Sequence, residues 1–133
     1  MTETFRIPII KLKDNLIVSI QGSLGDRLVI QLKEDITSAI ERGGVRGLVI
    51  DLSGIDVMDS FISRAIRDIG LVARLMGVRA VISGMEPMVA MTLVEMGMGL
   101  ESVKAALNLE AALDMLARDA PRPLEGFGGK GRG

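Results

Sequence analysis

Apolar residues along this chain fall in two rhythms, and the switches between them mark out the elements. Residues 7–12 and 16–20 are short runs rich in Ile and Val, separated by Lys13-Asp14-Asn15. Two such runs around a polar break predict a β-hairpin. Gly22 and Gly25 interrupt the pattern, and from Asp26 to Glu41 the spacing becomes helical. Leu28, Leu32, Ile36 and Ile40 recur at four-residue intervals, while Lys33, Glu34 and Glu41 lie off that stripe. Gly43 and Gly44 supply a helix end.

The alternation then repeats. Leu48-Val49-Ile50 is a continuous apolar run near glycines, which suits a strand buried on both faces. A polar-rich loop, residues 51–59, leads into a second helix over about residues 60–76. Its apolar stripe is Ile62, Ile66, Ile69, Ala73 and Met76, with Arg64, Arg67 and Asp68 facing out. Residues 78–83 read as a strand, and Pro87 suits the first turn of a third helix that Gly97 and Gly99 end. A short strand is expected near residues 100–103. Asn108 caps a last helix with Leu109, Leu113 and Leu116 on one side. The order β-β-α-β-α-β-α-β-α predicts an α/β fold: one domain over residues 1–119, with a mixed sheet of four to five strands opened by a hairpin and about four helices. Strands joined through helices imply parallel pairs with right-handed crossovers. Residues 120–133, with Pro121, Pro123 and a run of glycines, read as a flexible tail.

Composition narrows the function more than the fold. The chain of 133 residues has 16 basic and 17 acidic side chains, so no broad field draws nucleic acid. Its three aromatic residues, Phe5, Phe61 and Phe127, are too few for a base-stacking platform. Cys and His are both absent, which removes the thiolate nucleophile, the commonest general base and the commonest metal ligands. The chain is therefore expected to be non-catalytic, with no cofactor and no metal site. No apolar run approaches the ~20 residues of a membrane span, and the first residues lack the regions of a signal peptide. A cytoplasmic location without membrane contact is the expectation.

Several motifs invite sharper readings. Gly126-Phe127-Gly128-Gly129-Lys130-Gly131 spells a dinucleotide-binding pattern, but it has no strand before it and no helix after it, and it reads as tail. Met85, Met88, Met91, Met96 and Met98 cluster around the third helix, and most are expected in the core rather than on an adaptable binding surface. Asp51, Asp56 and Asp59 crowd one loop at a spacing that matches no metal-binding loop. They read as solvated acids, with Asp59 or Ser60 capping the second helix. Ser60 stands where that helix begins, and two readings stay open. It is an N-cap whose hydroxyl accepts a backbone N–H, or it is a phosphorylation site placed at the positive end of a helix.

The segment Asp51-Leu52-Ser53-Gly54-Ile55-Asp56-Val57-Met58-Asp59-Ser60 resembles the signature of STAS domains, the anti-sigma-factor-antagonist family. The resemblance covers roughly residues 5–118 and includes Val81-Ile82-Ser83-Gly84-Met85-Glu86-Pro87 and Thr92-Leu93-Val94-Glu95-Met96-Gly97. It implies that Ser60 is phosphorylated by a partner kinase. Antagonists proper continue with Ser or Thr and then Gly-Leu-Gly, whereas this chain continues Phe61-Ile62-Ser63-Arg64. That departure looks more like the short, RsbS-type stressosome scaffold branch of the family. The implied function is a scaffold that co-assembles with sensor-type STAS proteins and holds a switch serine/threonine kinase until Ser60 is phosphorylated. Asp56, Asp59, Phe61 and Arg64, around Ser60, are the expected docking residues. Thr92 lies at about the place of a second phosphorylated residue in sensor relatives. A homo- or hetero-oligomer is implied. The alternatives are an anti-sigma-factor antagonist and, in a different class, a small-ligand-binding STAS module.

Overall fold

The hairpin that opens the fold turns on two residues. Strands β1 (Ile9–Leu12) and β2 (Asn15–Gln21) pair antiparallel, with Leu12 opposite Asn15, so Lys13 and Asp14 make the turn. Lys13 adopts φ +58, the left-handed conformation that a tight hairpin demands. The computed structural model describes residues 6–21, 25–95, 97 and 103–118. After the hairpin come α1 (Asp26–Glu41), β3 (Gly47–Gly54), α2 (Ser60–Leu75), β4 (Arg79–Ser83), α3 (Pro87–Glu95), β5 (Lys104–Ala106) and α4 (Leu109–Arg118). The five strands lie in the order β1-β2-β3-β4-β5, and every pair after the first is parallel.

That order dictates the layering. From β2 to β5 the chain always steps to the next strand in the same direction. Right-handed crossovers then place α1, α2 and α3 on one face of the sheet. The buried side chains agree. Leu16, Val18, Ile20, Leu48, Ile50, Leu52 and Ile82 alternate onto one face, where Leu32 and Ile36 of α1, Ile66 and Ile69 of α2, and Val89 and Leu93 of α3 cover them. The intervening Ile17, Val49 and Val81 form a smaller core on the other face under Ala112 and Leu116 of α4. Strands covered on both sides are apolar at successive positions, which accounts for the unbroken run at Leu48-Val49-Ile50. A Cβ on Gly70 would stand 2.5 Å from Val103 Cγ2, so the glycine lets α2 lie close against the segment entering β5.

The structure moves several details from their expected places. Strand β3 runs past Ile50 to Gly54, which puts Asp51 in the sheet rather than in a loop. The fully buried positions of α1 are Val29, Leu32, Ile36 and Ala39, with Leu28 and Ile40 flanking them half buried. Met76 caps the C-terminus of α2 outside the core at 37% exposed, and Leu109 is likewise outside it. The last strand is Lys104–Ala106, just beyond the expected position, with Val103 buried before it. Residues 100–102 of the expected strand lie outside the described residues, as do Met96, Met98 and the tail. Of the remaining methionines in the cluster, Met85 packs half buried on the core, but Met88 and Met91 are 69% and 56% exposed. Pro87–Glu95 is a short helix whose buried contacts are Val89 and Leu93, so its outer face leaves Met88, Met91 and Val94 in solvent. Among the described residues no helix is long and apolar enough to cross a membrane.

Candidate functional site

The loop between β3 and α2 is pinned at two points. Ile55 donates its N–H to the Leu52 carbonyl at 3.0 Å as the strand ends, and the Ile55 and Met58 side chains are buried. Asp56, Val57 and Asp59 between and after these anchors are exposed. An alternation of anchored and free residues holds the loop against the core while presenting its acids to solvent.

Asp59 is the N-cap of α2. Its backbone is extended, at φ −126 and ψ 177, and its carboxylate oxygen accepts the Ile62 N–H at 2.8 Å. Ser60 is already helical, the first residue of α2, and it is exposed. Among the described residues its hydroxyl has no hydrogen bond. This overturns the reading of Ser60 as a cap. Both residue types cap well, but the cap belongs to the residue with non-helical backbone, and that residue is Asp59.

The neighbours divide by face. Phe61 is half buried against the main core, so only part of its ring surface reaches solvent. Arg64 is exposed one turn beyond Ser60. Ser63 is 1% exposed, its N–H donates to the Asp59 carbonyl at 3.0 Å, and its Oγ has no partner. Thr92 is half buried on α3, and its hydroxyl donates to the Met88 carbonyl at 2.9 Å.

A second polar feature escaped the sequence reading. Asp51 accepts hydrogen bonds from Ser19 at 3.4 Å, Ser53 at 2.8 Å and Ser83 at 3.2 Å. Ser19, Asp51 and Ser83 stand side by side in the register of β2, β3 and β4. This row continues the Ile17, Val49, Val81 row toward the C-terminal ends of the strands and ties three of them together where the loop to Ser60 departs. Gly84, at φ +72, closes the row, because a Cβ there would meet the Asp51 carboxylate at 2.9 Å. Serines ending apolar runs were the visible signal. Among the described residues no group of three or more His, Cys, Asp or Glu could hold a metal ion. A groove lined by Lys13, Asn15, Arg46, Arg79, Leu113 and Leu116 opens at the opposite end of the sheet, where the parallel strands begin.

Comparison with known proteins bears on most of the chain. The STAS domain family pattern matches residues 6–112. The solved structure of an RsbS variant from Moorella thermoacetica superposes with a TM-score of 0.73 at 41% identity, covering 84% of this chain and 95% of that one. A chain from a structure described as the molecular architecture of the stressosome, a signal integration and transduction hub, gives 0.74 at 42% identity, covering 84% and 96%. The RsbT co-antagonist protein RsbRB of Bacillus subtilis is 30% identical over 108 residues, which is 80% of this chain and 39% of that protein. The chain thus spans about two-fifths of the length of such co-antagonists. Unphosphorylated SpoIIAA, at 18% identity and a TM-score of 0.65, shares the fold. By the pattern matched across the sheet and its helices, this chain belongs to the STAS domain family.

Proposed function

We propose that the protein is a non-catalytic stressosome scaffold: it assembles with RsbR-type STAS proteins, holds a switch serine/threonine kinase in the cytoplasm, and releases it when Ser60 is phosphorylated. Likeness to RsbS over 84% of this chain supports the scaffold reading. The observation that carries the switch is the division of labour at the start of α2. Asp59 takes the capping bond, and Ser60 keeps an exposed, unbonded hydroxyl at a fixed point on the surface. A kinase can reach that hydroxyl without unfolding anything. A phosphate there adds about −1.5 to −2 charges beside the exposed Asp56 and Asp59, on the side of the domain that also presents Phe61 and Arg64. These four residues are the docking surface in this reading.

The test is reconstitution. The full chain is mixed with sensor-type STAS proteins, the switch kinase and ATP. Complex size is followed by gel filtration, and the modified residue by mass spectrometry. Co-elution with the sensor proteins, phosphate on Ser60, and loss of the kinase from the complex as phosphate accumulates are expected. Phosphate found solely at other residues, Thr92 included, refutes the switch. Failure to co-elute refutes the scaffold, and capture of an anti-sigma factor instead points to the antagonist role.

A further inference from the structure

The outer face of α2 carries a cation in line with Ser60. On a helix, the residues three and four positions on are neighbours one turn away. For Ser60 these are Ser63, which is 1% exposed, and Arg64, which is exposed. The solvent face that holds Ser60 therefore continues through Arg64. Long helical side chains lean toward the N-terminus, over the residue one turn earlier. From its place one turn on, the Arg64 side chain can reach back to Ser60. Arg67, the next cation on the helix, is differently placed: it lies 3.6 Å from Asp68, which also meets Lys33 of α1 at 3.5 Å. Among the described residues Arg64 has no ion pair.

We propose that Arg64 is the intramolecular partner of a phosphate on Ser60, its guanidinium forked onto two phosphate oxygens. The inference rests on Ser60 as the modified residue and adds a second consequence of the modification. The phosphate does more than place negative charge on the surface. It also takes up the exposed arginine of the docking face, so a partner that contacts Arg64 in the unmodified protein loses that contact and meets surplus negative charge. The chemistry favours the pair, because the planar guanidinium matches phosphate oxygens in a bidentate bond. The order favours it too, since an acid is best placed four residues before its base on a helix.

The full chain with phosphoserine at position 60, installed by genetic-code expansion, tests this by phosphorus NMR. A paired arginine favours the dianionic phosphate, so the second ionisation of the phosphoserine should fall at lower pH than in Arg64→Gln, by about half a unit. Among the described residues the other charged groups at this end of the sheet are Asp51 in β3, Asp26 and Arg27 at the start of α1, Asp56 and Asp59 in the loop, and Glu86 before α3. They are common to both proteins and cancel in the difference. Arg67→Gln should titrate like the wild type. Coincident titration curves for the wild type and Arg64→Gln overturn the proposal. No kinase is used, so a kinase that leaves Ser60 unmodified counts against the functional reading and not against this pairing.

Discussion

Replacing Asp59 and Ser60 one at a time separates the residue that holds the helix from the residue proposed to be modified. In Asp59→Ala, α2 loses the carboxylate that accepts the Ile62 N–H at 2.8 Å. Loss of an N-cap costs about 1 kcal/mol. The same carboxylate is a favourable charge at the positive end of a 16-residue helix, a partly overlapping effect of about 0.3 to 1 kcal/mol. Together they come to about 1.3 kcal/mol. Unfolding entropy for a chain of this length is about 0.28 kcal/mol/K, so the melting temperature should fall by about 4 to 5 °C. Asp59→Asn keeps a capping oxygen and should recover most of that loss. Ser60→Ala breaks no hydrogen bond and puts a better helix former at the first helical position, so its stability should stay within about 0.5 kcal/mol of wild type. Thermal unfolding followed by far-ultraviolet circular dichroism, on the same preparations used for kinase binding, reads all three. A loss in Ser60→Ala as large as that in Asp59→Ala, with no recovery in Asp59→Asn, would refute the assignment of the cap.

Three further outcomes are expected. Ser60→Glu should hold its melting temperature while its affinity for the kinase, read by calorimetry, falls at least tenfold. One added charge ~4 Å from a partner carboxylate costs about 4 kcal/mol at an effective dielectric of 20, well above the 1.4 kcal/mol of a tenfold change; affinity equal to wild type counts against the switch. Gly84→Ala should lower the denaturant midpoint by an amount equivalent to about 1 to 3 kcal/mol, because φ is +72 and the new Cβ would press on Asp51 at 2.9 Å and Ser53 at 3.1 Å; an unchanged midpoint would show that the serine row tolerates displacement. Ile66→Ala, at a fully buried position, should cost about 2 to 5 kcal/mol in chemical denaturation, whereas Met91→Ala, at 56% exposed, should stay within about 0.5 kcal/mol; similar losses at both would return Met91 to the core.

Periodicity made most of the sheet and its helices legible, because α1 and α2 bury one continuous stripe and the strands bury alternate or successive residues. What stayed hidden depended on information that a linear pattern lacks. Asp59 and Ser60 are adjacent and both cap helices well, and the backbone dihedral angles alone decide between them. Asp51 looked like one loop acid among three, since its partners Ser19 and Ser83 each lie 32 residues away and meet it through strand register. The strand Lys104–Ala106 carries no apolar run, being a short edge strand with two of its three residues exposed. The methionines of α3 misled because a helix of 9 residues packed along one narrow line leaves apolar side chains in solvent that composition alone assigns to the core.

The placement of Ser60 also explains why a phosphate there would be read by another molecule rather than by this fold. The segment before it is fixed by two buried side chains, Ile55 and Met58, and the helix after it is fixed by Ile62, Ile66, Ile69 and Ala73 in the core. A switch that worked by melting α2 would have to withdraw those residues, each contributing about 1.5 to 3 kcal/mol through burial if a large aliphatic side chain. Surface electrostatic effects at a helix end are about 0.3 to 1 kcal/mol and act near the first turn. Within the domain a phosphate there would therefore have too little leverage to unfold the helix, whose first exposed cation after Ser60 is Arg64. Across an interface the balance reverses, because the same charge is desolvated against a partner and the cost of about 4 kcal/mol per close like-charge pair falls on the complex alone. A rigid helix start with an exposed hydroxyl would thus convert a phosphate at Ser60 into a change of affinity while the STAS domain remains folded.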